Sequence, residues 1–169
     1  MRRLVKVFLT KPQTEKIILD NAKKDGQIVY GQRSANRRFG IMTRPTEDWD
    51  IFANKPKGAA MKTEKQLDKA VGFDYFYTKK GMHKGTYKVK GKGFDGKKGT
   101  KDDEGIVDYT KVPKPIPKFD VINGIRYRRV AEEIKAKRNA LADPNFKFRH
   151  EKDRADLNRL RSAVKANRL

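Results

Sequence analysis

The sequence predicts a single α+β domain, in which a small mixed, mostly antiparallel sheet has helices packed on one side. Three observations carry that prediction. Short β-branched and aromatic runs alternate with segments of helical period along the chain. No internal repeat or clear boundary divides it. Its 169 residues are the length of one ordinary domain, enough to bury a core without disulfides.

The elements follow in order. Met1–Thr10 reads as a short strand or an arm. Thr14–Lys24 reads as a helix, with Pro12 near its start and Gly26 just past its end. Gln27–Tyr30 is a buried strand that stops at Gly31, and Gln32–Phe39 is a helical turn or two. Asp48–Phe52 is a strand whose alternation puts Asp48, Asp50 and Phe52 on one face and Trp49 and Ile51 on the other. Lys57–Val71 is a helix with Ala60, Leu67 and Val71 on one stripe.

Phe73–Thr78, Gly85–Lys90 and Gly105–Lys111 are further strands. Residues 91–105, with five glycines among many charges, are expected to form a mobile hairpin loop. Val112–Lys118 is proline-spaced and extended. Phe119–Tyr127 is a strand pair turning at Asn123–Gly124. Two helices end the chain. Arg129–Leu141 carries Val130, Ile134 and Leu141 inward, and His150–Asn167 does the same with Leu157, Leu160 and Val164.

Composition narrows the function. Lysine and arginine number 42 against 21 aspartates and glutamates, a net charge of +21. Such an excess calls for a polyanionic partner, most simply nucleic acid or nucleotide phosphate. No apolar run approaches the roughly 18 residues of a membrane span, so no membrane partner is expected. The expected setting is intracellular: cytoplasmic, or inside a nucleoprotein particle. With no cysteine, a disulfide framework, a cysteine zinc site and a cysteine nucleophile are all excluded. With His83 and His150 the only histidines, a metal must sit on oxygen ligands, which favours magnesium or manganese.

The informative stretch is Tyr30–Phe52. A strand runs into Gly31, where a backbone without Cβ can approach a phosphate closely. A polar turn with Ser34 follows, then Arg44, Thr46, Asp48 and Asp50. Two carboxylates on one strand face lie about 7 Å apart at Cα, so their side chains can converge on one divalent ion. Asp108, on a later strand, is the leading third ligand and Asp120 the runner-up. Three convergent carboxylates suit two-metal phosphoryl chemistry.

These residues resemble the nucleotidyltransferase (DNA polymerase beta-like) superfamily, in particular its small abortive-infection, toxin-like group. Tyr30-Gly31-Gln32 matches the family's glycine turn, Asp48-Trp49-Asp50-Ile51 its paired carboxylates, and Ile106-Val107-Asp108-Tyr109 the later acidic strand. Gly124-Ile125-Arg126-Tyr127, Lys137-Arg138-Asn139-Ala140-Leu141 and the run from Arg149 to Leu157, with its Lys152-Asp153 pair, extend the likeness over about Gln27–Leu160. Two departures stand out. Gln32 replaces the family's second glycine or serine, so Ser34 would stand in, and the 17 positions from Gly31 to Asp48 are on the long side.

The resemblance implies transfer of a nucleoside monophosphate from an NTP to a nucleic-acid acceptor, RNA or tRNA first, or to a protein. Asp48, Asp50 and Asp108 would hold the metal, and Gly31 and Ser34 would cradle the triphosphate. Arg44, Lys137 and Lys152 would neutralise its charge, with Asp153 bracing the site. Two other readings stay open. One is a non-catalytic basic protein on RNA, a ribosome or packaged DNA. The other is a toxin-like enzyme modifying RNA or protein. For the charged helices, ion pairs such as Glu133 with Lys137 are the default expectation.

Overall fold

The computed structural model describes residues 9–39, 46 and 48–167. The expected arm over Met1–Thr10 therefore lies almost wholly outside the described residues, and so does Arg44.

The helix α1, Lys11–Lys24, begins at a capping box, in which Thr10 accepts from the Gln13 amide while the Gln13 side chain accepts from the Thr10 amide. The strand β1, Ile28–Tyr30, follows, then α2, Gln32–Phe39, and β2, Trp49–Ala53. Next comes α3, Pro56–Val71, which starts on a proline and stops at Gly72 in the left-handed conformation. Three strands succeed it: β3, Phe76–Lys80, β4, Thr86–Gly91, and β5, Glu104–Lys111. The hairpin β6, Phe119–Ile122, and β7, Ile125–Arg128, turns at Asn123 and Gly124, both at positive φ, as a two-residue loop requires. The chain ends with α4, Val130–Ala142, a 3-10 helix, Pro144–Arg149, and α5, His150–Ala166.

The described strands form one seven-stranded mixed sheet in the order β3-β4-β5-β2-β1-β7-β6. β1 with β7 and β2 with β5 are parallel, and the other neighbours are antiparallel. One face packs on α1 and α3. Its core joins Ile18 and Ala22 of α1 and Ala60, Leu67 and Val71 of α3 to Val29, Ile51, Val107 and Tyr109 of the sheet. Beneath that face the Tyr109 hydroxyl bonds to Thr63 at 2.7 Å, and Asn21 donates to Thr63 at 3.2 Å. The buried polar side chains of Asn21, Thr63 and Tyr109 thus satisfy one another, as a dry interior demands.

Strict alternation sends the intervening residues to the opposite face: Asp50 and Phe52 against Trp49 and Ile51, and Asp108 and Thr110 against Val107 and Tyr109. On that side stands the pair α4 and α5, so the helices pack on both faces of the sheet and not on one as the sequence suggests. The sequence puts Val130, Ile134 and Leu141 inward, yet each is only half-buried, and the buried residue of α4 is Glu133. The loop 92–103 between β4 and β5 is laced to itself: Gly99 donates to Asp103 at 2.7 Å, Thr100 donates to Asp102 at 2.6 Å, and the Tyr77 hydroxyl donates to Asp103. No described helix is long and apolar enough to cross a membrane.

Candidate active site

A cleft of about 1230 Å³ opens between the polar face of the sheet and α4, the 3-10 helix and the start of α5. Its floor is a row across four strands. Tyr30 on β1 stands opposite Asp50 on β2, Asp50 opposite Asp108 on β5, and Asp108 opposite Lys88 on β4. Asp48, just before β2, also lines the cleft. The fold therefore brings Asp48, Asp50 and Asp108 to one place. Asp120 is not among the residues that line the cleft; it pairs with Arg129 at 2.9 Å.

The charges at this floor repel one another. The Asp50 carboxyl is pushed up to about 7, first by burial, then by the charges of Asp48, Asp108 and Glu133, with Lys88 acting the other way. Asp108 is also raised, by burial first, while the hydrogen bond and charge of Lys88 oppose the rise. Lys88 Nζ lies 2.5 Å from Asp108 Oδ2. Tyr30 is held protonated well above its usual range by burial and by Asp50, and its hydroxyl donates to Thr110 at 3.1 Å. Among the described residues no group of three or more His, Asp or Glu stands ready to hold a metal ion. The donor set nonetheless fits a hard cation on its chemistry. It is all oxygen, and a divalent ion would offset the burial and the neighbouring charges that raise Asp50.

Gly31 is required here twice over. Its φ is +73°, and a Cβ would stand 2.6 Å from Asp50 Oδ2. Its amide donates to Glu133 Oε1 at 2.7 Å, and Arg128 Nε donates to the same oxygen at 2.7 Å. Arg128 in turn lies over the Tyr30 ring at 5.0 Å, and Tyr30 stacks on Phe52 at 3.8 Å. Ser34 is fully buried, does not line the cleft, and donates its hydroxyl to the Arg128 carbonyl at 2.7 Å, which ties α2 to β7. Arg33 fixes the entry to β2, donating to the Thr46 and Asp48 carbonyls and lying 4.3 Å over the Trp49 ring.

On the opposite wall, Lys137 reaches Asp156 at 3.0 Å and Asp153 at 3.4 Å rather than Glu133. Arg149 grips Asp153 with two bonds, at 2.7 and 3.0 Å. This buried cluster clamps α4 to α5. Lys137, Lys152 and Asp153 all line the cleft, and Lys152 is exposed.

Sequence reasoning missed Lys88 and Arg128, and it paired Glu133 with Lys137 rather than with Gly31 and Arg128. Lys88 carried a local signal, since alternation in β4 places it on one face with Thr86. Glu133 carried none that separates it from Glu132.

No protein-family model matches the sequence, and no curated protein is significantly similar to it. Solved structures do share the fold. The Megavirus polyadenylate synthase superposes with a TM-score of 0.68 at 18% identity, over 92% of this chain. The chain spans only 33% of that enzyme. JHP933 from Helicobacter pylori gives a TM-score of 0.50 at 17% identity, over 86% of this chain and 62% of its own. The order of the strands and helices and these structural neighbours together give the chain the fold of the nucleotidyltransferase superfamily.

Proposed function

We propose that residues 1–169 act as one domain that transfers a nucleoside monophosphate from an NTP to a hydroxyl of a nucleic-acid acceptor, with RNA or tRNA favoured. The observation that carries this reading is the row of carboxylates on the cleft floor, Asp50 directly opposite Asp108 with Asp48 beside them. The Megavirus neighbour, named a polyadenylate synthase, supports it through shared fold.

In this reading the acceptor oxygen bonds to the α-phosphorus of the NTP, and the bridging α–β oxygen leaves with pyrophosphate. Magnesium or manganese, held by Asp48, Asp50 and Asp108, would offset the triphosphate charge and favour ionisation of the acceptor hydroxyl. Lys88 must leave Asp108 for that ion to bind there, which frees its ammonium for a phosphate. The Gly31 amide exchanges Glu133 for a phosphate oxygen, and Ser34 holds α2 in place behind it. Exposed Lys152 and, from outside the described residues, Arg44 add positive charge. Lys137 and Asp153 fix the opposite wall.

Incubation with each labelled NTP, magnesium and total RNA tests the proposal. Label should enter RNA with wild type and not with Asp48→Ala/Asp50→Ala. Absence of label from both RNA and protein, with every NTP, contradicts it.

One observation favours a second reading, a non-catalytic nucleic-acid-binding protein. Lys88 already neutralises Asp108, and Glu133 already occupies the Gly31 amide. Such a protein would bind RNA or DNA with steep salt dependence and no metal requirement.

A further inference from the structure

Part of the cleft's lining is apolar, aromatic and exposed, in a chain whose composition is strongly charged. On one side the turn between β3 and β4 presents Met82, 87% exposed, and His83. On the other the 3-10 helix presents Phe146 and Phe148, the latter 71% exposed. All four line the cleft. The His83 and Phe146 rings meet with centroids 5.9 Å apart, joining segments far apart in the sequence into one lip. Exposed cations are interleaved with it: Lys84 follows His83, and Lys147 lies between the two phenylalanines.

Single exposed apolar residues are ordinary on protein surfaces. Phe94, Ile116 and Val121 are exposed here too, but none of them lines the cleft. Met82 and Phe148 differ because both line the cleft that holds the aspartates, on segments that the His83–Phe146 contact brings together. A flat ring and a polarisable thioether flanked by ammonium groups suit one chemistry: an unstacked nucleobase with a phosphate on either side. A duplex keeps its bases stacked and offers no free face to such a lip. An acidic protein segment would match the cations but leave the ring and thioether without a planar partner.

We infer that this lip clamps a nucleobase at the single-stranded end of the nucleic-acid acceptor. Met82 and Phe148 take the faces of the base, while Lys84 and Lys147 take its flanking phosphates. The inference rests on the proposed transfer reading for the strand's role as acceptor. The binding itself requires no catalysis.

The test is fluorescence anisotropy with a labelled single-stranded RNA of about ten nucleotides. An abasic strand of the same length and an RNA duplex serve as comparisons. Phe148→Ala and Met82→Ala change exposed side chains, so both variants keep the fold, which circular dichroism checks. Each should weaken binding of the single strand by about 5- to 50-fold. The salt dependence should stay unchanged, and wild type and Phe148→Ala should bind the abasic strand and the duplex alike. Lys147→Ala should instead reduce the salt dependence. NTP affinity, measured by calorimetry, should not move in Phe148→Ala.

Four outcomes overturn the inference: no binding of the single strand by wild type, unchanged affinity in both apolar variants, equal loss on the abasic strand, or a loss confined to NTP. The last would assign the lip to the incoming nucleotide. If no NTP is ever transferred while the oligonucleotide results hold, the transfer reading fails and the clamp stands.

Discussion

Asp50 and Asp108 stand directly opposite each other on the parallel strands β2 and β5, and Lys88 closes the row from β4 with its ammonium on Asp108. Two carboxylates in register on neighbouring strands are an unfavourable pair unless a cation joins them. Lys88 fills that role for Asp108, whereas Asp50 has burial against it and three acidic neighbours. The molecule thus holds a concentrated negative site on a surface that is otherwise strongly positive.

That strain sets a pH dependence. A carboxyl raised in the folded state binds more protons than in the unfolded chain, so stability falls as pH rises through the window between the two values. For Asp50 the window runs from the ordinary carboxylate value of 3.8 to about 7, and the loss is complete above it. Asp108 is raised in the same direction. Thermal unfolding in chelator at pH 5 and pH 8 should therefore show wild type losing roughly 3–8 °C more than Asp50→Asn over that interval. Magnesium or manganese should recover much of the loss at pH 8 in wild type alone. Parallel behaviour of the two proteins would refute this.

Gly31 and Gly72 separate backbone strain from contact with the site. Both have positive φ, but a Cβ at Gly72 meets nothing within 4 Å, whereas one at Gly31 meets Asp50. Gly72→Ala should cost about 1–2 kcal/mol from strain alone. Gly31→Ala should cost more in urea unfolding and should also abolish NTP binding. Equal costs with NTP binding intact would show that the close approach to Asp50 has no consequence.

Lys88 is a competitor for any cation at Asp108. Lys88→Met should tighten manganese binding on the order of tenfold, measured by calorimetry, because a positive charge has left the site. Under the proposed function it should also weaken NTP binding, since the same ammonium would be free for phosphate once a metal is in place. Weaker manganese binding in this variant would mean that Lys88 orders Asp108 rather than competes for it.

Glu133 holds the Gly31 amide and Arg128 together, and its side chain is almost completely buried. Glu133→Gln removes one charge of a buried pair and leaves Arg128 uncompensated, at a cost of about 3–5 kcal/mol. Glu132→Gln, one position away on a half-buried side chain, should be close to neutral. Chemical denaturation of the two variants side by side reads the difference directly, and similar stabilities would contradict the assigned role.

What the sequence made legible was local. The runs around Ile28 and Ile51 read as strands because their alternation is short-range, and the Ala60–Leu67–Val71 stripe reads as a buried helix face for the same reason. Asn123–Gly124 announces its own turn. What stayed hidden depends on register and packing between distant segments. Lys88 meets Asp108 only because β4 and β5 pair in one particular register. Glu133 is chosen over Glu132 because Arg128 and Gly31 happen to lie beneath it. Lys137 turns from its own helix to Asp153 and Asp156 because α5 packs there. Asp48 and Asp50 were legible as a pair from strand alternation, whereas the choice of Asp108 over Asp120 leaned on the resemblance to a known motif, because strand pairing across distant segments is not written locally.

The proposed function requires that the three aspartates and the glycine turn form a metal-dependent nucleotide site. Isothermal titration of each NTP, with and without magnesium, into wild type and Asp48→Ala/Asp50→Ala tests it most directly. Wild type should bind an NTP only when magnesium is present, and the double variant should not bind under either condition. No nucleotide binding, or binding indifferent to both the metal and the two substitutions, would contradict it and leave the basic surface and its nucleic-acid partner as the function of the protein.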